Sequence, residues 1–174
     1  MRKIKLYIAM TIDGYIASLD GHIDFLNDYG KDGLDYGYAK FLETIGTVIL
    51  GRKTYDQVIG FSSNYPYEKQ TSYVLTTSKN NPKINHIIFK NNIDDIISDI
   101  KDKQGKDIFL VGGAKTIKIM MDKNLIDEIH LSIIPKTLGE GIPCFLKHQN
   151  LSTYQVLDTN TYKDGIVQII YRKI

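Results

Sequence analysis

The strongest constraint in this chain is a junction that occurs twice: a short apolar run ends in glycine, and a helical stripe begins at once. In IFLVGGAKTIKIMM, Ile108 to Met121, four apolar residues run into Gly112 and Gly113, and Ile117, Met120 and Met121 then recur at helical spacing. In TVILGRKTYDQVI, Thr47 to Ile59, Gly51 stands at the same place. A short, continuously apolar run fits a strand covered on both faces. A strand feeding straight into a helix is half of a parallel crossover unit, so the pair predicts a parallel sheet with helices packed on it.

The rest of the chain repeats the alternation. Ile4 to Thr11 predicts a strand buried on both faces, and 18–31, with Gly21, Asn27, Asp28 and Gly30, a long loop of the kind that often serves function. Leu34, Tyr38, Phe41, Leu42 and Ile45 predict one helix, and Ile93, Ile96, Ile97 and Ile100 another. Ser72 to Thr76, Ile87 to Phe89 and Ile126 to Ile134 predict further strands. The closing residues read as a hairpin turning at Lys163-Asp164-Gly165, where glycine supplies positive φ. The expectation is one α/β domain over 1–174, a three-layer sandwich whose C-terminal hairpin adds antiparallel strands at one edge.

Composition narrows the function classes. A net charge of +2 gives no electrostatic case for nucleic acid or an acidic membrane surface. The single cysteine, Cys144, excludes an internal disulfide framework and a cysteine-rich metal site. No segment approaches the roughly 20 apolar residues that span a bilayer, and the start is too early broken by polar residues for a signal peptide. A cytoplasmic protein is expected. His22, His86, His130 and His148 show no ligand spacing, so no metal is expected.

The junctions point to an anionic ligand. A helix that opens after a strand presents free N–H groups at its positive end, which suits phosphate, and ligands of open α/β sheets sit beyond the carboxyl ends of the strands. Glycine that only allows a tight turn is the plain alternative. Gly51 is followed by Arg52, Lys53 and Thr54, a cluster suited to a phosphate monoester, and Thr76, Thr77 and Ser78 add hydroxyls at another strand exit. Gly112 and Gly113 suit close contact with a pyrophosphate. A phosphorylated dinucleotide, NADPH, meets both requirements. A Walker loop is excluded, since Ala114 stands where the glycine before the lysine should be, and no G-x-G-x-x-G occurs.

In chain order, YIAMTIDGYIAS, GHIDFL, VILGRKTY, VLTTS, FLVGGAKTI, LIDEIHLSIIPKTLGEGIPCF and IVQIIY resemble the dihydrofolate reductase superfamily. The branch they resemble most contains the reductase domain of riboflavin biosynthesis (RibD C-terminal-like), and the resemblance covers nearly the whole chain. It implies a mainly parallel sheet of about eight strands flanked by helices, with NADPH across the strand ends. It further implies that Ala9 holds the nicotinamide carboxamide through its backbone and that Ile16 packs near the ring. Gly51, Arg52, Lys53 and Thr54 are implied to take the pyrophosphate and the 2′-phosphate side. Thr76, Thr77 and Ser78 would serve the adenosine ribose phosphate, and Val111, Gly112, Gly113, Ala114 and Lys115 the pyrophosphate and nicotinamide ribose. A homodimer through the C-terminal strands is also implied.

The activity expected is hydride transfer to a C=N or C=O of a small heterocycle, as in 5-amino-6-(5-phosphoribosylamino)uracil reductase. Dihydrofolate reductase and an NADPH-binding protein without turnover are the alternatives. Folate reductases usually carry Pro-Trp in the loop before the first helix, whereas this chain has no tryptophan and shows GHIDFL there. Asp35 falls at the folate-binding carboxylate if no gap intervenes. Aligning Phe41 instead requires a gap and moves that position to Gly37, and an acid at 35 also suits a plain helix start. Asp13 is the second candidate acid, although Asp-Gly is equally a turn signal. The loop 18–31 is expected to gate the substrate side, with Phe25 lining it. No H-x-E or P-C-x-x-C pair is present, so a zinc deaminase is not expected.

Overall fold

The computed structural model describes residues 2–61, 64–101 and 103–174. One sheet is built from β1 (Ile4–Thr11), β3 (Ile45–Gly51), β4 (Thr71–Leu75), β5 (Ile87–Lys90), β6 (Asp107–Gly112), β7 (Glu128–Ile134), β9 (Tyr154–Thr161) and β10 (Val167–Lys173). Its order is β5-β4-β3-β6-β1-β7-β10-β9. Pairing is parallel from β5 through to β7, and β10 runs antiparallel to both β7 and β9. The hairpin turns at Gly165, whose φ is +88°.

Helices lie on both faces. On one, α3 (Ile93–Lys101) and α4 (Ala114–Asp122) press Ile96, Ile100, Ile117 and Met120 onto Leu6, Ile49 and Leu110. Each such fully buried side chain is worth about 1.5–3 kcal/mol against exposure. On the other, α1 (Tyr38–Glu43) and α2 (Arg52–Phe61) cover an aromatic layer. There Tyr55 meets Phe89 and Phe41 meets Phe109 edge to face, and Tyr65 packs likewise on Tyr67. Much of the chain's tyrosine sits in this layer. No helix among the described residues is long and apolar enough to cross a membrane.

Several local expectations are corrected. The first helix begins only at Tyr38, because Tyr36 and Gly37 both take positive φ, and Ile45 already belongs to β3. The long loop contains single helical turns at Asp24–Leu26 and Lys31–Gly33. A second, two-stranded sheet pairs β2 (Tyr15–Ala17) with β8 (Ile142–Pro143). Gly141 permits that approach, since a Cβ there would lie 2.4 Å from the Ala17 carbonyl oxygen. Finally, β1 is not buried throughout: Ile4, Leu6 and Thr11 are, while Tyr7 to Met10 are only half-covered despite having strands on both sides.

Candidate active site at the strand ends

The parallel pairing brings the carboxyl ends of β4, β3, β6, β1 and β7 to one edge of the sheet. Gly51 ends β3 and Gly112 ends β6, adjacent strands, so α2 and α4 start side by side. The contact is reciprocal. A Cβ at Gly51 would lie 2.6 Å from Thr116 Oγ1, and one at Gly113 would lie 3.1 Å from Thr54 Oγ1. These two glycines therefore let the helix starts close on each other. Gly112 has a φ of +113°, and the Gly112–Gly113 peptide is cis. Helices leave their first N–H groups without an acceptor one turn back, although in α4 that of Thr116 is taken by the Gly113 carbonyl at 2.9 Å.

Around this double start stand Arg52, Lys53 and Lys115. Lys53 and Lys115 are exposed. Arg52 is held: its Nε donates to both Asp56 carboxylate oxygens at 2.8 and 2.9 Å, and its Nη1 donates to Asn81 Oδ1 at 3.0 Å. Asn81 in turn donates from Nδ2 to the Ser78 carbonyl at 2.7 Å, and Ser78 N donates to Thr76 Oγ1 at 3.1 Å. The GRKT and TTS segments are thus joined in one hydrogen-bonded belt. Sequence reasoning missed Asp56 and Asn81; an acid at i+4 from Arg52 was the available signal.

The loop 18–31 lies across this edge and is tied down at both sides. Gln57 Nε2 of α2 donates to the Gly21 carbonyl at 3.0 Å, and Lys136 Nζ donates to Phe25 O at 3.1 Å and to Asp28 at 2.6 Å. Phe25 is buried against Ile134 and Ile166, with Ala9 packed beside them. Ile16 sits half-buried on β2. Below Ala9, which pairs with Ser132 of β7, lies a polar floor absent from the sequence reading. The buried Gln168 amide donates from Nε2 to Tyr7 Oη at 3.0 Å, to Ser132 Oγ at 3.3 Å and to the Tyr36 carbonyl at 3.4 Å. Burial pushes the Tyr7 hydroxyl up to about 12. A glutamine inside IVQII and a serine inside HLSII were the legible signs.

Both candidate acids are bound as carboxylates. Asp13 accepts from Thr11 Oγ1 at 2.5 Å, from Gly139 N at 2.7 Å and from Leu138 N at 3.0 Å. The Thr11 hydroxyl and then these amides hold it below the usual carboxylate range. Asp35 accepts from Ala39 N and Gly37 N, each at 3.0 Å, and these bonds depress it likewise. These bonds also hold the turn after β1 and the start of α1.

The fold is the dihydrofolate reductase-like one, a fold of reductase type. The chain matches the RibD C-terminal domain model over residues 2–168 and belongs to that family. It is 36% identical over 166 residues to the uncharacterized protein YwjB of Bacillus subtilis (strain 168), covering 95% of each chain. It is 34% identical to YyaP of the same organism, covering 98% of this chain and 94% of that one. Among solved structures, a Shewanella sp. PV-4 protein named for riboflavin biosynthesis superposes with a TM-score of 0.88 at 26% identity, over 99% of both chains. The deaminase/5-amino-6-(5-phosphoribosylamino)uracil reductase of Thermotoga maritima gives 0.72 at 15% identity, over 99% of this chain and 57% of that one. A pyrimidine reductase-like protein of Corynebacterium diphtheriae gives 0.67 at 13% identity, with coverage of 99% and 92%.

Proposed function

We propose that the chain is an NADPH-dependent reductase of a small heterocyclic or carbonyl compound, with the strand-end edge as its site. The observation that carries this is the pair of abutting helix starts, α2 and α4, flanked by Arg52, Lys53 and Lys115. Adjacent N–H clusters with cations beside them fit a pyrophosphate and a phosphate monoester. When bound, NADPH supplies a hydride to a C=N or C=O carbon.

In this proposal Val111, Gly112, Gly113, Ala114 and Lys115 hold the pyrophosphate and nicotinamide ribose through backbone N–H groups and one cation. Gly51, Lys53 and Thr54 hold the pyrophosphate from the α2 side. Arg52, with Thr76, Thr77 and Ser78, engages the 2′-phosphate. Ala9 and Ile16 take the nicotinamide end, where β1 is only half-covered. Phe25 and its loop exclude water from the reacting atoms, which strengthens the polar interactions inside. The proton comes from Asp35, from Asp13 or from water; both carboxylates are held by backbone N–H groups. Two copies pair through β9 and β10, where Val156 and Leu157 stand exposed; light scattering that returned a single chain's mass would remove the dimer.

The test is loss of reduced-nicotinamide absorbance with NADPH against a panel of 5-amino-6-(5-phosphoribosylamino)uracil, dihydrofolate and small carbonyl compounds. Turnover of the aminouracil or a carbonyl supports reduction as stated, and turnover of dihydrofolate alone moves the chain to folate chemistry. NADPH binding with no turnover of any panel member leaves a binding protein.

A further inference from the structure

The belt that holds Arg52 implies more than binding. We propose that Asp56 and Asn81 are positioning residues that set the preference for a 2′-phosphorylated dinucleotide, by fixing the Arg52 guanidinium for end-on capture of a phosphate. The inference rests on the cofactor site proposed above and adds two residues to it that make no cofactor contact themselves.

A guanidinium carries five N–H donors in a rigid plane, and an arginine side chain that is free in water loses rotamer entropy when one geometry is selected. Here that selection is made by the protein. Asp56 occupies Nε from within α2, one turn on. Asn81 occupies one N–H of Nη1 from the loop after β4, a different element. Among the described residues, the outer fork of Nη1 and Nη2 keeps its remaining donors. That fork matches two oxygens of a phosphate in parallel hydrogen bonds. Asn81 is itself oriented, since its Nδ2 donates to Ser78 O, and Ser78 is tied to Thr76. The Thr76 hydroxyl, the Ser78 backbone and the guanidinium therefore stand in a fixed relation before any ligand arrives. Arg52 and Asp56 are 35% and 47% exposed, so their ion pair adds little to folding stability. Orientation is what it supplies.

Asp56 also carries a negative charge near the proposed phosphate, which predicts the opposite effect if charge alone mattered. Removing it would then tighten NADPH. The two accounts separate by sign.

The experiment measures dissociation constants for NADPH and NADH by calorimetry, with wild type and the Asp56→Asn, Asp56→Glu, Asn81→Ala and Arg52→Ala variants, alongside melting temperatures without ligand. Positioning predicts that Asp56→Asn and Asn81→Ala each weaken NADPH by about 3- to 10-fold, the worth of one charge-assisted bond misaligned, while NADH changes less than about twofold. Asp56→Glu should recover part of the loss that Asp56→Asn causes. Parallel losses for both cofactors, or tighter NADPH in Asp56→Asn, would overturn the inference while leaving the cofactor site intact. Wild-type protein that binds neither cofactor would instead overturn the proposed function, and this inference with it.

Discussion

Gly51, the last residue of β3, lies so close to Thr116 in the first turn of α4 that a Cβ on it would stand 2.6 Å from the threonine hydroxyl. Thr116 is 3% exposed and cannot swing into solvent. Gly51→Ala should therefore destabilise by about 1–3 kcal/mol through overpacking. Adding Thr116→Ala removes the clashing oxygen, so the double variant should be more stable than the sum of the two single changes predicts. Strict additivity in urea melts would mean that the two helix starts are not in contact.

Asp13 and Asp35 give the sharpest test of where the proton originates. A positioned general acid contributes typically 10²- to 10⁴-fold, so its loss is hard to miss. With water as the donor, Asp35→Asn and Asp13→Asn should each keep kcat within about tenfold of wild type. Once a substrate is in hand, a fall of a hundredfold or more in kcat, with folding intact, would make that carboxylate the donor.

Gln168 sits at 3% exposure and serves Tyr7, Ser132 and the Tyr36 backbone from one amide nitrogen. Gln168→Leu keeps the volume and strips the donor from Ser132 Oγ and Tyr7 Oη, although Tyr7 still donates to the Tyr36 carbonyl at 2.9 Å. The expected cost is about 1–3 kcal/mol in chemical denaturation. A neutral result would show that the floor is not closed by this amide.

His130 stacks on Tyr7 and packs against Phe41, with Glu128 bonded at 2.9 Å and Lys5 nearby. Burial lowers its affinity for a proton, although Glu128 opposes the shift. The unfolded chain therefore binds this proton more readily, and stability is lost as pH falls through the unfolded value of about 6.5 toward the folded one. Melting temperature should drop between about pH 7 and pH 5. His130→Gln should make that drop shallower, whatever it costs at neutral pH. An unchanged slope would place the acid sensitivity elsewhere, with Glu128, whose lowered value acts in the same direction further down the scale, as the next residue to change.

The parallel core was legible because β3 and β6 are almost wholly apolar and run directly into helices, a pattern with few other solutions. The β2–β8 pair was not, since two or three residues carry no period to read. The start of α1 was misplaced because positive φ at Tyr36 carries no sequence mark. At the site, the glycine junctions announced themselves, but part of their reason did not. Gly51 and Gly113 answer to Thr116 and Thr54, residues that only the sheet order makes neighbours. The same holds for Arg52 with Asn81 and for Gln168 with Tyr7, pairs joined by topology rather than by spacing.

The most direct measurement is a thermal-shift titration of the intact protein with NADPH, with NADH and with buffer alone. A ligand at 100 times its dissociation constant adds about 2.7 kcal/mol of stability, enough to raise the melting point by several degrees. A clear rise with NADPH and a smaller one with NADH is the predicted result. No rise with either at millimolar concentration would contradict the cofactor site and leave the paired helix starts as a packing solution alone.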